Sequence, residues 1–299
     1  MKKRILIIGG TGFLGYHIAK KCLKLSWDVV IVSLRKHKVK KKIKKIRYIQ
    51  LDTSKRRFDI LKKFNFDYVI NSSGYVEHKN IRRIKKGHYL SVKNLYTFFK
   101  SRNIKSFIQI GSSAEYGNTK MPHKETFNCK PLGIYGKYKL KATKFLISKF
   151  KNNSFPVTVL RLYQLYGPNQ DENRFVPILI SSCVKRKNFF TSSGTQKRDF
   201  LYVSDAVEAI IKSLISKNSK GKIINIGYGK SIMLKKVMQI VKQKTGFFEP
   251  VYGKIKLRTD EKKDIYPDIS VARKVLNWKP NVSLESGILK TVNYFKKIY

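Results

Sequence analysis

The first fifteen residues, MKKRILIIGGTGFLG, constrain the fold more strongly than any other part of the chain. The unbroken apolar run at 5–8 is typical of a parallel strand buried on both faces. Three glycines follow, and apolar residues then recur at helical spacing from 13 to 25. This order suits a dinucleotide pyrophosphate, because the turn brings the backbone close to the phosphates and the first amides of the helix face the anion. We therefore predict that the turn binds a dinucleotide cofactor through Gly9, Thr11, Gly12, Phe13, Leu14 and Gly15.

Further apolar runs predict a sheet whose strands alternate with helices. The runs at 27–32, 48–52, 67–71 and 107–111 are interpreted as strands, with helices around 88–100 and from 131 to about 150. This alternation predicts an α/β protein with a right-handed, doubly wound parallel sheet. Ligands of such a sheet bind beyond the carboxyl ends of its strands, so residues at those ends are candidates for a site.

The ends of three strands bear on the cofactor. An NAD-binding protein usually places an acidic residue at the end of the second strand for the ribose 2′-hydroxyl, but this strand ends at Ser33 with Arg35 close by. A serine and a guanidinium suit a 2′-phosphate, which favours NADP(H); Arg35 also opens a lysine-rich run, so NAD(H) is the alternative. Asp52, at the carboxyl end of the third strand, is placed to accept from the adenine amino group. Ser73 and Gly74, after the fourth, let the backbone pass close under the cofactor.

A serine, a tyrosine and a lysine form a candidate catalytic set. Ser113 follows the fifth strand, and Tyr135 and Lys139 project from one face of the next predicted helix, four residues apart. The ammonium favours the phenolate, and the serine hydroxyl can bond the same substrate oxygen. Such a set moves a proton on a carbonyl or alcohol while hydride moves to or from nicotinamide, so the tyrosine and lysine are also expected to contact the cofactor.

Together these motifs resemble the extended short-chain dehydrogenase/reductases, in particular the branch of nucleotide-sugar epimerases, dehydratases and reductases. The resemblance covers nearly the whole chain and continues through segments 173–177 and 258–280. One departure is His88, which stands where the family commonly has asparagine. The segments that carry the resemblance are GxxGxxG at 9–15, Asn71-x-x-Gly74, Ser112-Ser113-Ala114, Tyr135-x-x-x-Lys139, LRLYQLYGP at 160–168 and GTQKRDFLYVSD at 194–205.

The resemblance implies a Rossmann domain at 1–167 and a smaller C-terminal α/β substrate lobe at 168–299, with some segments returning to the first domain. It implies a nucleoside-diphosphate sugar whose pyrophosphate is bound by Asn173, Arg198 and Arg258, which is sensible because guanidinium groups bind phosphate oxygens in pairs. Ser112 and Glu115 are expected to contact the substrate. A homodimer formed through the helices around 88–100 and 135–150 is also expected.

The turn after the fifth strand bears on the reaction. Dehydratases of this branch carry an aspartate there that protonates the departing 6-hydroxyl group, whereas this chain has Ala114, so dehydration is not expected. The run SSAEYG at 112–117 is similar to that of reductases acting on 4-keto-6-deoxy sugars. NADP(H) agrees with this, because a reductase exchanges its cofactor at each turnover. We expect a 4-ketoreductase in the synthesis of surface polysaccharide sugars, with an NAD-dependent 4-epimerase as the alternative.

The charge of the chain raises a hypothesis of another class. Lysine and arginine number 65 against 18 acidic residues, a formal charge of +47, which by itself suggests a nucleic acid or an anionic surface as partner. The charges are spread along the chain, and no basic motif of a known nucleic-acid module is present. We therefore expect a solvated basic surface and no nucleic-acid partner, with a non-catalytic RNA-binding protein on the same fold as the competing hypothesis.

Cysteines and hydropathy predict the compartment. Cys22, Cys129 and Cys183 match no metal or redox spacing, so no metal site is expected and the thiols indicate a reducing compartment. No apolar run has the length of a membrane span, and no secretory leader precedes the first strand. The expected location is the cytoplasm.

Overall fold

The chain folds around a central parallel sheet. The computed structural model describes residues 2–34, 43–75, 80–256 and 262–299; Arg35 and Arg258 lie outside the described residues. The strands, in chain order, are β1 (Arg4–Ile8), β2 (Asp28–Ser33), β3 (Arg47–Gln50), β4 (Tyr68–Asn71), β5 (Ser106–Ser112), β6 (Val157–Leu162), β7 (Gln164–Tyr166), β8 (Phe189–Phe190), β9 (Lys197–Arg198), β10 (Phe200–Tyr202), β11 (Ile223–Ile226), β12 (Ile232–Met233), β13 (Pro250–Val251) and β14 (Asp264–Ile265).

Seven of these strands form the sheet, in the order β11-β6-β5-β4-β1-β2-β3, and each neighbouring pair is parallel. In β1, Ile5 and Ile7 belong to the hydrophobic cluster on one face, and Leu6 and Ile8 to the cluster on the other. Both faces are therefore covered, which explains the unbroken apolar run. The predicted doubly wound α/β fold is confirmed.

Helices provide the two outer layers. The helices are α1 (Phe13–Lys24), α2 (Asp59–Lys62), α3 (Ile81–Lys85), α4 (Ser91–Phe99), α5 (Ile134–Asn153), α6 (Phe175–Val184), α7 (Val203–Ile215), α8 (Leu234–Thr245), α9 (Ser270–Leu276) and α10 (Leu284–Lys296). The first cluster includes residues of α1, α7 and α9, and the second includes residues of α2, α4 and α5.

Three predicted elements had boundaries that were wrong by two residues or more. The helix predicted at 88–100 starts as α3, passes through a π turn (Lys86–Leu90) and continues as α4; Ile84 is the single buried residue of α3, too few to give a helical period. The third strand ends at Gln50, so Asp52 follows it rather than belonging to it. Helix α5 begins at Ile134 because the extended Gly133 is its N-cap.

A third hydrophobic cluster lies in the C-terminal part, between α6, α8 and α10. Not all of 168–299 belongs to it: β11 pairs with β6 in the central sheet, and α7 packs on α1. The second part of the chain therefore supplies both a small lobe and an edge of the large sheet, which leaves the carboxyl ends of β5 and β6 facing the lobe.

Candidate active site

Ser113 and Tyr135 lie in two turns that pack against each other. Ser113 begins a 3₁₀ helix (Ser113–Glu115) directly after β5, and Tyr135 is in the first turn of α5. Gly136 allows this contact, since a Cβ atom there would lie 2.3 Å from the carbonyl oxygen of Ala114. Both Ser113 and Tyr135 line one cavity of about 740 Å³. The structure thus brings the predicted serine and tyrosine to the same cavity.

Lys139 lies one turn further along α5. Its side chain is buried, its Nζ donates to the carbonyl of Ile110 at 2.8 Å, and its Nζ is 5.9 Å from the centre of the Tyr135 ring. The hydrogen bond to β5 fixes the ammonium, and burial reduces the screening of its charge by water. The four-residue spacing therefore places a fixed positive charge beside the tyrosine.

His88, the departure from the family pattern, also contacts Tyr135. The two rings meet edge to face with centres 5.0 Å apart, and the His88 side chain is buried within the π turn. Its Nε2 lies 2.9 Å from the carbonyl oxygen of Tyr75, and a Cβ atom on Gly74 would lie 2.3 Å from the imidazole. π turns recur at functional sites because they re-aim one side chain of a helix. Here the imidazole lies between the end of β4 and the predicted catalytic tyrosine.

Two of the three residues predicted to bind a pyrophosphate line this cavity as well. Asn173 is exposed and precedes α6. Arg198 is half-buried, and its Nη1 donates to the carbonyls of Lys197 at 2.7 Å and Lys262 at 2.9 Å, which fixes the guanidinium. The third, Arg258, lies outside the described residues.

Asp199 lines the cavity but was not among the predicted site residues, although it lies within segment 194–205. Its carboxylate accepts from the amides of Tyr228 at 2.8 Å and Gly229 at 2.7 Å. Burial raises the pKa of Asp199 to about 7, against the opposing effect of these backbone hydrogen bonds. The side chain ties the loop after β11 to the cavity. Gln164, Gln196 and Lys262, also within segments of the resemblance, line the cavity too, whereas His123 lies outside those segments and had no sequence signal.

The prediction that Glu115 contacts the substrate was wrong. Its side chain is completely buried; it accepts from the Ser112 amide at 2.9 Å and pairs with Arg161 Nε at 2.9 Å. Ser112 is the N-cap of the 3₁₀ helix, and its hydroxyl accepts from the Ala114 amide at 3.2 Å. Both side chains hold the turn that presents Ser113, and neither lines the cavity.

The turn predicted to bind the cofactor has the geometry that a phosphate needs. Gly12 is the N-cap of α1 without a side-chain capping bond, and the first turn of α1 carries no acidic residue. The helix N-terminus therefore keeps its positive end for an anion. The side chains of Phe13 and Leu14 pack on the core, and the amides of a first helical turn have no partner within their own helix. Together with Gly9, Thr11 and Gly15, these residues fit a dinucleotide pyrophosphate.

The other predicted cofactor residues lie at the same edge of the sheet. Ser33 ends β2, and among the described residues no carboxylate stands at that end of the strand. Asp52 Oδ1 accepts from the amide and the hydroxyl of Ser54, which fixes its carboxylate. Ser73 donates its hydroxyl to Asn71 Oδ1 at 2.6 Å, and Gly74 follows it. The placement agrees with a cofactor at this edge, and the individual roles remain predictions.

Within the described residues, no group of three or more histidine, cysteine, aspartate or glutamate side chains could hold a metal ion. No helix in the same ranges is long and apolar enough to cross a membrane. A second cavity of about 300 Å³ lies between α5 and the edge of the sheet at β6 and β11, and none of the predicted site residues lines it.

A doubly wound sheet, an open anion-binding turn and a Ser/Tyr/Lys set beside a substrate lobe define a dinucleotide-dependent oxidoreductase. A profile of the NAD dependent epimerase/dehydratase family matches residues 5–227, and the chain belongs to this family. The predicted family, fold and enzyme class, a short-chain dehydrogenase/reductase-type enzyme acting on a nucleotide sugar, are therefore confirmed.

Three relatives illustrate the range of the family. The chain is 30% identical to a putative UDP-glucose 4-epimerase of Methanocaldococcus jannaschii, over 98% of both chains. It is 27% identical to a dTDP-D-glucose 4,6-dehydratase of Mus musculus, over 99% of this chain and 89% of the other. The crystal structure of UDP-glucose 4-epimerase with UDP-glucose from Thermotoga maritima matches with a TM-score of 0.93 at 25% identity, covering 99% of each chain.

Proposed function

We propose that this protein reduces the C4 keto group of a nucleoside-diphosphate-linked deoxyhexose. The observation that carries the proposal is the common cavity of Ser113 and Tyr135, with the Lys139 ammonium fixed 5.9 Å from the tyrosine ring. A proton donor, a second hydrogen bond to the same oxygen and a nearby positive charge are what reduction of a ketone requires.

Each residue of the set has a separate task. A dinucleotide held by the turn at 9–15 would supply the hydride for C4. Tyr135 gives its phenolic proton to the keto oxygen as that oxygen becomes an alcohol, and Ser113 donates a hydrogen bond that orients it. Lys139 stabilises the phenolate that the proton transfer leaves, and the tyrosine is then reprotonated from solvent. Ser112 and Glu115 hold the turn in place.

The turn itself argues against dehydration, although one relative is a dehydratase. Removal of a 6-hydroxyl group needs an acid beside C6, and the residue there by resemblance is Ala114, whose methyl group cannot donate a proton. Glu115 cannot replace it, because its carboxylate is buried and paired with Arg161.

A nucleotide-sugar 4-epimerase is the second candidate, and the comparisons favour it. Both the Methanocaldococcus jannaschii relative and the Thermotoga maritima structure are named as 4-epimerases. The same three side chains would serve, because an epimerase first oxidises C4 and then reduces it from the other face. The two reactions differ in cofactor use: an epimerase retains NAD, whereas a reductase must exchange its cofactor.

Ser33 is the residue that supports NADP(H). It ends β2, at the position where an NAD-binding protein usually has an acidic residue, and Arg35 follows two residues later. A 2′-phosphate is repelled by a carboxylate and bound by hydroxyl and guanidinium groups. Asn173, Arg198 and Arg258 are proposed to bind the substrate pyrophosphate, and a homodimer through the helices around 88–100 and 135–150 remains part of the proposal.

The identity of the cofactor tests this choice. The purified protein is denatured, any released dinucleotide is identified, and the cofactor-free protein is titrated with NADPH and NADH. An empty site with a preference for NADPH supports the reductase. Tightly retained NAD contradicts the role of Ser33 and Arg35 and supports the epimerase. The Ser33→Asp variant is the matched control, because a carboxylate there should shift the preference towards NADH.

A further inference from the structure

His123 lines the substrate cavity and is held rigidly there. Its ring stacks on Tyr116, with centres 4.3 Å apart, and its Nδ1 lies 2.9 Å from the Tyr163 hydroxyl. Its backbone amide donates to the carbonyl of Tyr266, and its carbonyl accepts from the amide of Asp268 at 2.9 Å. Tyr116 directly follows the 3₁₀ helix that carries Ser113, so the stacking joins the imidazole to the segment after β5.

The other ring nitrogen, Nε2, has no hydrogen-bond partner within the described ranges of the chain. The His123 side chain is 1% exposed, and among the residues that the structure describes none hydrogen-bonds to its Nε2. Buried polar atoms in proteins are nearly always hydrogen-bonded, so an unpaired nitrogen in a residue that lines a cavity points to a ligand. Burial, and secondarily the charges of Lys262 and Arg161, lower the pKa of His123 to about 3, so the ring is neutral.

The hydrogen bond to Tyr163 decides which nitrogen carries the proton. Tyr163 is buried, and within the described chain His123 Nδ1 is the one partner of its hydroxyl group. A buried phenol must place its proton on an acceptor, so Tyr163 donates and Nδ1 accepts. In a neutral imidazole the proton then resides on Nε2, which becomes a fixed donor.

Given the proposed function, we propose that His123 is a specificity-determining residue that donates its Nε2 hydrogen to an oxygen atom of the sugar in the bound nucleotide sugar. A hydroxyl or keto oxygen is the fitting acceptor, because a fixed donor contributes nothing to a methyl or methylene group. The residue then discriminates sugars by the presence of an oxygen at one position, while the nucleotide is bound elsewhere in the cavity.

Two amide substitutions separate the two ring nitrogens. In His123→Asn the side-chain oxygen replaces Nδ1 and keeps the Tyr163 bond, but nothing replaces Nε2. In His123→Gln the amide NH₂ group reaches the Nε2 position and keeps a donor. Wild type and both variants are titrated calorimetrically with UDP-glucose and UDP, and with dTDP-glucose and dTDP.

We expect His123→Asn to bind the better of the two nucleotide sugars about tenfold more weakly than wild type, the usual effect of one lost hydrogen bond. It should bind the matching nucleotide unchanged, and His123→Gln should recover most of the loss. Equal affinity of wild type and His123→Asn for the nucleotide sugar overturns the inference. Equal weakening for the sugar-free nucleotide does so too, because it shows a merely structural role. If wild type binds the nucleotides but neither nucleotide sugar more tightly, the proposed function fails first, and this inference with it.

Discussion

At the scale of single residues, a buried ion pair between Glu115 and Arg161 supports the turn at the site. Both side chains are almost completely buried, and Gly111 makes room for the carboxylate, since a Cβ atom there would lie 2.7 Å from Glu115 Oε1. The guanidinium also lies over the Tyr116 ring, 4.4 Å from its centre. A buried pair of this kind contributes little net stability, but either partner alone is costly.

We therefore expect Glu115→Gln to lower the free energy of unfolding by about 3–5 kcal/mol, because it leaves Arg161 charged and buried without its partner. The double variant Glu115→Gln with Arg161→Met should be less destabilised than the single variant. Urea unfolding of the three proteins measures this. A single variant as stable as wild type would show that the pair is not buried as described.

His123 should make the protein sensitive to acid. Its pKa is lowered by burial to about 3, whereas in the unfolded chain it is about 6.5. Below about pH 6.5 His123 binds a proton in the unfolded chain but stays neutral in the folded protein. Stability therefore falls as the pH falls from about 6.5 towards about 3. Between pH 7 and pH 4.5 wild type should lose about 3 kcal/mol more than His123→Asn. Parallel stability curves for the two proteins would contradict the assignment.

Some site residues were predictable from the sequence and others were not. Tyr135 and Lys139 were, because their spacing on a helix places them on one face. Glu115 was misassigned, because a sequence cannot show that a carboxylate after a strand turns inwards to meet Arg161 from the neighbouring strand. His123 was missed, because its position depends on loop segments that meet only in the folded chain.

At the scale of elements, the turn between β1 and α1 shows three glycines with different tasks. Gly9 has a positive φ of 78°, and a Cβ atom there would lie 2.8 Å from the backbone of Ser73. At Gly15 a Cβ atom would lie 2.4 Å from the Gly9 carbonyl. At Gly12 the nearest atom would be 3.4 Å away and φ is an ordinary −78°. The protein itself therefore needs glycine at 9 and 15, and the absence of a side chain at 12 leaves space for a ligand.

These differences predict that a change of glycine to alanine affects stability at position 15 and cofactor binding at position 12. Gly15→Ala should lower the free energy of unfolding by about 1–3 kcal/mol, because backbone atoms must move apart. Gly12→Ala should leave the stability within about 0.5 kcal/mol of wild type and weaken dinucleotide binding about tenfold or more, because the methyl group occupies the approach to the pyrophosphate. Thermal unfolding and cofactor titration separate them. Normal cofactor affinity in Gly12→Ala would show that the pyrophosphate lies elsewhere.

The elements themselves were predicted unevenly. The five strands of the first half were found from apolar runs, because both faces of a parallel sheet are buried. The helix that begins at Ile81 was placed too late, because lysine and arginine surround its single buried residue and the π turn breaks the 3.6-residue period. That same turn places His88 against Tyr135, so the least accurate of the predicted helix boundaries lies close to the proposed catalytic tyrosine.

At the scale of the whole molecule, the charge of +47 is the feature without a role in the proposed reaction. The positive field would raise the local concentration of an anionic nucleotide sugar, and it would attract RNA without specificity. RNA binding releases many counterions and therefore weakens steeply as the salt concentration rises. A nucleotide sugar carries few charges, so its affinity should depend much less on salt.

We expect generic single-stranded RNA to bind at low salt and to lose about 10³-fold or more in affinity between roughly 50 mM and 200 mM salt. UDP-glucose binding should change by less than about tenfold over the same range. Fluorescence titrations with a labelled RNA, and calorimetry with UDP-glucose, make the comparison. RNA affinity that persists at the higher salt would favour the competing hypothesis of a binding protein on this fold.

The most direct measurement is the consumption of NADPH with a panel of nucleotide-linked 4-keto-6-deoxyhexoses, using wild type and Tyr135→Phe. The account predicts that one substrate gives one C4 alcohol per NADPH oxidised, and that Tyr135→Phe keeps its NADPH affinity while its turnover falls by about 10²-fold or more. Undiminished turnover in Tyr135→Phe, or interconversion of 4-epimers with no net NADPH consumed, would contradict it.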